Sequence, residues 1–224
     1  MPIEDDMHTK IVDAICNLPI TNLSSVSAGE DLYEPYVWSI VLDAAERMGA
    51  VISLQDRDGA APTSFWFRTQ PSGIASTAHP YCHAVIEFDR CPALEAHVGI
   101  FVSGRSKVRH ECDVAVVLQS EADACRANNA HPRCSKAILT VECKFYVNST
   151  VGIGHGRSFL GLIQDIQNGE RYFVATRASS SVSKLFAKHN KEYELGLSPM
   201  DIELETRLRG SFEKAFRDYK SEFI

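Results

Sequence analysis

The stretch ILTVECKFYV, residues 138–147, has the most strand-like pattern of the chain and also contains two opposite charges. Side chains of a β-strand alternate between its two faces. Glu142 and Lys144 therefore share one face, and Val141 and Cys143 occupy the other. A carboxylate and an ammonium are costly to bury without further partners, because both lose their hydration. The segment therefore predicts a strand with an apolar face on the core and a charged face with a function.

The stretch ECDVAVVL, residues 111–118, predicts a second strand, in which Asp113 points away from its apolar neighbours. Two carboxylates in one cleft suit Mg²⁺, which takes oxygen ligands and keeps several waters. Such an ion polarises a phosphoryl oxygen and generates hydroxide from water. Asp113 and Glu142 are therefore candidate metal ligands. Lys144 is a candidate for stabilising the charge of a transition state or for activating the water.

The composition is that of an ordinary globular protein with an acidic balance. The 224 residues are 45% hydrophobic and 23% charged, which is enough to build a sizeable core. The formal net charge of -6 argues against a protein that coats nucleic acid, because phosphate binding needs clustered Lys and Arg. It does not exclude an enzyme with a local basic groove and an acidic metal site.

The sequence shows no pattern of export or membrane insertion. Its first ten residues, MPIEDDMHTK, contain three acids and no apolar run, and no stretch approaches the roughly 18 apolar residues of a membrane span. The seven cysteines are an odd number and lack the spacing of a disulfide framework. We therefore expect a cytoplasmic protein in a reducing compartment, with no membrane partner.

The order of predicted elements indicates a mixed α/β fold in one domain, residues 1–224, with a core over about 31–177. After a short helical pattern and a Ser-rich link, a helix is predicted over 31–50, where Asp31 could cap and Pro35 fits the first turn. Strands are predicted over 51–54, 64–69, 83–88, 97–104, 111–118, 138–147 and 171–178, and further helices over 154–166, 181–190 and 202–220.

An Asp on one strand and Glu-x-Lys on a neighbouring strand resemble the PD-(D/E)XK nuclease superfamily, which has the restriction-endonuclease-like fold. Asp113, Glu142 and Lys144 match the motif, and Cys143 stands at a middle position that is usually apolar. The resemblance covers the predicted core as α-β-β-β-α-β, with extra strands between residues 51 and 95.

The sequence departs from the family pattern at two points. Cys112 replaces the proline that precedes the aspartate. The separation between Asp113 and Glu142 is longer than a tight hairpin, so residues 119–137, which lack a periodic pattern, are expected to form an excursion between the two strands. Direct pairing of the two strands is therefore left open.

The resemblance implies an α/β fold with a restriction-endonuclease-like mixed β-sheet core flanked by helices, extra N-terminal strands and a long C-terminal helix. It implies a Mg²⁺-dependent endonuclease, with Mn²⁺ able to substitute, that cuts nucleic acid, DNA in the first place, and leaves a 5′-phosphate. Asp113, Glu142 and, from the preceding helix, Glu34 would hold the metal, and Lys144 would orient or activate the water. It also suggests a homodimer formed through the C-terminal helix, and a role in restriction or antiphage defence.

Three basic residues are candidate substrate contacts. Arg105 and Lys107 lie in SGRSKVRH, a predicted basic hairpin in which they alternate with Arg109 and could follow a phosphate backbone. Arg157 lies at the start of the helix after the second motif strand, where related nucleases contribute a polar residue near the phosphate. A solvated hairpin and an exposed helix face explain the same residues without a substrate.

Simpler explanations exist for each residue of the motif. Glu142 and Lys144 could form an ion pair on an exposed edge strand, worth about 0–1 kcal/mol. Asp113 could bond a turn, and Glu34 could lie in a first helical turn because the helix dipole favours acids there. A nuclease fold that binds or scaffolds without cutting is therefore the alternative function.

A zinc site is disfavoured because the cysteines form no CxxC pair.

Overall fold

The fold is built on one mixed β-sheet, and the computed structural model describes residues 3–223 of the chain. The helices are α1 (Ile3–Ala14), α2 (Gly29–Arg47), α3 (Gln119–Asn128), α4 (Ile153–Asp165), α5 (Ser180–Lys188) and α6 (Ile202–Ser221). The strands are β1 (Val51–Asp56), β2 (Cys82–Glu87), β3 (Leu94–Ser103), β4 (Arg109–Leu118), β5 (Ala137–Lys144), β6 (Glu170–Ala175) and β7 (Glu192–Leu195). None of the helices in this range combines the length and the apolarity that a membrane span requires.

The seven strands follow one another across the sheet in chain order. β1 to β5 pair antiparallel, whereas β5, β6 and β7 pair parallel. Each parallel connection needs a crossover, and α4 and α5 supply them. α1, α2 and α6 pack on one face of the sheet, and α3, α4 and α5 pack on the other. The predicted class, an α/β protein with a mixed sheet flanked by helices and a C-terminal helix, is confirmed.

The strand predicted over 64–69 is wrong. In this segment Phe65 makes an isolated bridge with Ile20, and no regular strand forms. The aromatic rings of Phe65 and Phe67 pack against Trp38 of α2 instead. The apolar side chains that suggest a strand therefore belong to a loop that covers the helix.

The start of α2 also differs from the prediction. The helix begins at Gly29, where a Cβ atom would overlap the ring of Phe145, so glycine allows this close approach. Ala28 is the N-cap residue, and Asp31 therefore does not cap the helix. Pro35 lies in the second turn rather than the first, where its missing N–H removes one backbone hydrogen bond.

The connection over 119–137 is more ordered than predicted. It contains α3 and a short 3-10 turn, and β4 pairs directly with β5 across it. β5 ends at Lys144, three residues earlier than predicted. β7, with the sequence EYEL, is absent from the predicted elements because its two acids mask the strand pattern; one of them, Glu194, is buried beside Arg207 of α6.

One buried carboxylate connects α1, α2 and α6. Glu205 of α6 accepts a hydrogen bond from the Tyr36 hydroxyl at 2.8 Å and pairs with Lys10 Nζ at 2.6 Å. Only 8% of its surface is exposed. These contacts join residues 169 and 195 positions apart in the chain, so this side of the sheet is complete only when all three helices are in place.

The ribbon of β3 and β4 twists sharply halfway along its length. Val98 belongs to the core beneath α2, whereas Ile100 belongs to the core beneath α3 and α4. Side chains two residues apart on a regular strand share a face, so the strand turns over between them. Gly99 has a left-handed φ of +63° that permits this turn. On β4 the side chains also change face between Cys112 and Val114, on either side of the predicted metal ligand Asp113.

Replacing Gly99 with alanine is expected to lower the free energy of unfolding by about 1–2 kcal/mol, because a side chain strains the left-handed conformation. The added Cβ atom would also lie 3.2 Å from Cβ of Arg68. Gly161→Ala is the matched control: it lies in α4 with open space around it, and alanine there should stabilise the helix by about 0.5–1 kcal/mol. Denaturant titration measures both, and equal stabilities of the two variants would contradict this account of the twist.

Candidate active site

Asp113, Glu142 and Lys144 lie together where β4 and β5 separate. Lys144 Nζ lies 2.7 Å from Glu142 Oε1 and 3.6 Å from Asp113 Oδ2. The Asp113 side chain is buried, whereas 21% of the Glu142 side chain and 24% of the Lys144 side chain are exposed. The ammonium therefore bridges the two carboxylates at a site that solvent can reach, and we call this group of residues the acidic cleft.

The Asp113 carboxylate replaces a backbone partner in the sheet. The regular pairing of β4 with β5 ends at Val114 and Val141. Beyond that point the Cys143 N–H donates a hydrogen bond to Asp113 Oδ2, at 2.6 Å, instead of to a backbone carbonyl of β4. This bond fixes Asp113 against β5 while the twist of β4 carries the rest of the ribbon away.

Two further acids interact electrostatically with this site, Glu34 on α2 and Glu111 on β4. Burial and the carboxylates of Asp113 and Glu111 raise the pKa of Glu34 to about 9. Burial and the Glu142 carboxylate also raise the pKa of Glu111, a residue that the sequence analysis does not include among the ligands. The structure therefore brings Glu34 into electrostatic range of Asp113, Glu142 and Lys144, and Glu111 into range of Glu142 and Lys144.

The excess of negative charge changes the protonation of these groups. Burial and the Glu142 carboxylate raise the pKa of Asp113 to about 7, although Lys144 and the Cys143 amide oppose the shift. For Lys144, burial favours the neutral amine, but the carboxylates of Asp113 and Glu142 raise its pKa above the usual value. Near neutral pH the lysine is therefore charged, Glu34 holds a proton and Asp113 is close to its titration point.

The donor set suits a hard divalent cation, although the acids are not gathered around one point. Carboxylate oxygens are the ligands that Mg²⁺ prefers, and both described contacts of Asp113 use Oδ2, which leaves Oδ1 for an ion. Among residues 3–223, three ligand atoms of His, Cys, Asp or Glu come within 4.8 Å of one another only on β2 and β3. A cation between Asp113 and Glu142 therefore requires Lys144 to move from its position between them.

The predicted substrate contacts lie at two separate places. Arg105 and Lys107 belong to the turn that joins β3 to β4 rather than to a strand, and Lys107 has a φ of +67°. The turn packs against the C-terminal end of α4, where Arg105 donates a hydrogen bond to Gln167. Arg157 is exposed in the second turn of α4, toward the other end of the helix. The three side chains therefore do not form one continuous track.

Asp165, which the sequence analysis misses, anchors this turn. Its carboxylate accepts hydrogen bonds from the Ser106 N–H at 2.7 Å and from Ser106 Oγ at 2.5 Å, and lies 2.7 Å from His110 Nε2. The hydrogen bonds from Ser106 and His110 lower the pKa of Asp165 to about 2. No local pattern could reveal this contact, because Ser106 and Asp165 are 59 positions apart.

No family model, curated protein or solved structure matches the chain. The residues of the cleft and their geometry are therefore the basis for its function.

The melting temperature of the metal-free protein is expected to fall as the pH rises from about 6.5 to about 9, above the range in which buried His97, with a pKa lowered to about 4, titrates with the opposite effect on stability. An acid whose pKa is raised by folding contributes stability below its unfolded pKa, and this stability is lost as the pH passes the folded pKa. The folded pKa values are about 7 for Asp113 and about 9 for Glu34. Calorimetry should show a fall of more than about 4 °C, since about 1 kcal/mol shifts a domain of this size by 2–4 °C.

Glu34→Gln removes one of these titrations and should flatten the profile. Glu30→Gln, at an exposed position of the same helix, is the control and should keep the wild-type slope. Mg²⁺ or Mn²⁺ added at pH 8 should raise the melting temperature of the wild type. A wild-type profile that is flat or that rises toward pH 9 would show that the acids are not clustered.

Proposed function

We propose that the protein is a Mg²⁺-dependent endonuclease with a restriction-endonuclease-like fold, and that its substrate is nucleic acid, DNA in the first place. The observation that supports this best is the convergence of Asp113, Glu142 and Lys144 in one solvent-accessible cleft. The simpler explanation, an ion pair on an exposed edge strand, does not fit, because β5 is central and lies between β4 and β6.

Asp113 and Glu142 would hold the cation, with Glu34 as the third acid. A cation there supplies positive charge beside a phosphoryl oxygen and acidifies water. The oxygen donors make Mg²⁺ the expected ion and Mn²⁺ its substitute. Since Asp113 and Glu34 retain protons near neutral pH, metal binding should release protons and should strengthen as the pH rises.

Lys144 would act as a charged donor rather than as a base. Its raised pKa keeps the ammonium protonated, so it cannot abstract a proton from water near neutral pH. The ammonium can instead orient the attacking water or stabilise the negative charge that develops on the phosphoryl oxygens. The ion pair with Glu142 keeps the ammonium at the cleft before substrate arrives.

The basic residues outside the cleft would position the phosphate backbone. Arg105 and Lys107 project from the turn that Asp165 anchors, and Arg157 projects from α4. Contacts of this kind orient a nucleic acid but carry no sequence information. Because the cleft itself is acidic, we expect that nucleic acid binds productively only together with the cation.

The homodimer stays a prediction, and α6 is less suited to it than the sequence suggests. The apolar side of α6 packs within the chain's own core, through Leu208, Phe212, Ala215, Phe216 and Tyr219. The side that remains exposed is rich in charged residues. A dimer would therefore use the polar side of α6 or another surface.

A nuclease fold that binds nucleic acid without cutting it is the second candidate. The observation that favours it is the position of Lys144, which lies between Asp113 and Glu142 where a cation would have to enter. The ammonium partly neutralises the acids, so the cleft does not need a metal in order to be stable. Binding and cleavage assays on the same protein separate the two functions.

Glu142→Gln and Lys144→Met are each expected to lower Mg²⁺-dependent cleavage at least about 100-fold, because each removes a charge that acts on the reacting phosphate. Glutamine and methionine keep the approximate size of the side chains they replace. Nicking of plasmid DNA and cutting of labelled DNA and RNA oligonucleotides, with Mg²⁺, Mn²⁺ or a chelator, measure the rates.

Lys214→Met is the control, because Lys214 is an exposed lysine of α6 that pairs with Glu170 and Asp218 away from the cleft. This variant should cut at the wild-type rate. A wild type that binds DNA but does not cut it with either metal would favour the second candidate. Cleavage that survives both cleft substitutions would rule out the nuclease site described here.

A further inference from the structure

Three ligand-type side chains meet on β2 and β3, on the face of the sheet that α3 covers. His83, Glu95 and His97 are each 1% exposed. One ligand atom from each lies within 4.8 Å of the other two, the closest gathering of such atoms in the described part of the chain. The nuclease proposal makes no use of this cluster.

The pairing of β2 with β3 explains why these side chains meet. Ala84 pairs with Ala96, so the preceding His83 stands across from the following His97. The two imidazole rings stack with their centroids 4.9 Å apart. Glu95 lies two positions before His97 and shares its face. Glu95 Oε2 is 2.9 Å from His97 Nε2 and 3.6 Å from His83 Nε2.

The donor set differs in kind from that of the acidic cleft. Two imidazole nitrogens and one carboxylate oxygen are typical ligands of Zn²⁺ and related first-row ions, whereas Mg²⁺ prefers oxygen alone. The Nδ1 atoms of His83 and His97 are buried and have no hydrogen-bond partner in residues 3–223. Arg126 can only donate, so the Nε2 lone pair of His83 already faces the cluster. His97 donates its Nε2 proton to the Glu95 carboxylate, and that proton must leave or move to Nδ1 before the ring can bind a metal.

The Arg126 guanidinium of α3 occupies the position where a cation would bind. Nη1 donates a hydrogen bond to Glu95 Oε1 at 3.1 Å, and Nη2 donates to Oε2 at 2.5 Å. Nη2 also lies 3.4 Å from His83 Nε2. The same guanidinium donates to the largely exposed Asp123 at 2.9 Å, so Arg126 already connects the buried cluster to the protein surface.

A cleft of about 370 Å³ lies directly outside Arg126. His83, Asp123 and Arg126 line it, together with the turn that follows β1. It provides both a route for an ion from solvent and room for the displaced guanidinium. Rotation of Arg126 toward Asp123 would free Glu95 without leaving the arginine unpaired.

We propose that His83, Glu95 and His97 bind a divalent transition ion of the Zn²⁺ class, and that Arg126 competes with this ion for Glu95. Without metal, the guanidinium neutralises the buried carboxylate. When the ion binds, the guanidinium withdraws to Asp123 and the ion takes over its charge. The site is separate from the acidic cleft, and its test does not depend on nuclease activity.

Co²⁺ and Zn²⁺ are the probes, added to the full chain with excess Mg²⁺ to occupy the acidic cleft. Co²⁺ on nitrogen ligands gives a visible absorption band, and Zn²⁺ should abolish it by competition. Arg126→Gln should bind Co²⁺ at least about tenfold more tightly than the wild type, because the competing charge is gone. His97→Gln should bind it at least about 100-fold more weakly.

Arg133→Gln is the matched control, since Arg133 also pairs with a glutamate, Glu121, but lies outside the cluster. Its Co²⁺ affinity should equal that of the wild type. A purely structural role for Arg126 predicts the opposite result, in which Arg126→Gln is less stable and gains no affinity for metal.

Thermal unfolding shows whether each variant folds. If Arg126→Gln does not fold by itself, Zn²⁺ present during refolding should restore it, because the ion replaces the missing guanidinium charge. Equal Co²⁺ affinity of the wild type and Arg126→Gln, or a refolding yield that Zn²⁺ leaves unchanged, would overturn the proposal.

Discussion

The hydrogen bond from the Cys143 amide to the Asp113 carboxylate holds together two strands that have begun to separate. The left-handed conformation of Gly99 lets the ribbon of β3 and β4 turn over, and the regular pairing of β4 with β5 stops at that level. An acidic side chain then completes the hydrogen bonding of the backbone. Burial of this acid beside Glu142 raises its pKa, so the electrostatics of the cleft follow from the geometry of the strands.

The elements with the clearest alternation or helical periodicity are those that the sequence predicts well. β5 and α6 have apolar positions that match the period of the element, whereas β4 is an apolar run that is buried on both faces over most of its length. α3, with the sequence QSEADACRAN, is missed because few apolar residues mark its buried side. The run over 64–69 is apolar for a different reason, since its rings pack on a helix from within a loop. A run of apolar residues in the sequence indicates that the side chains are buried, but buried side chains can belong to a loop as well as to a strand.

The alternation of side chains along a strand also limits how much of the two candidate sites can be predicted from the sequence. It places Glu142 beside Lys144, and the structure brings Asp113 to both of them. Glu95 and His97 have the same spacing on β3, but their third partner lies on another strand, and β2 and β3 must be aligned before the cluster is visible. Contacts across many residues, such as the anchoring of Ser106 by Asp165, leave no local pattern.

The carboxylate of Glu205 also ties the completion of the fold to the order of synthesis, because it is made later than both residues that it contacts. Its partners Lys10 and Tyr36 precede it by 195 and 169 residues. At a ribosomal rate of about 5–20 residues per second, α1 and α2 are synthesised roughly 10–40 s before Glu205. During that interval the apolar surface of α2 lacks the helix that finally covers it, and a nascent chain is at its most vulnerable to aggregation and to proteases. Because Glu34 belongs to α2, the acidic cleft acquires its final shape only when translation has passed α6.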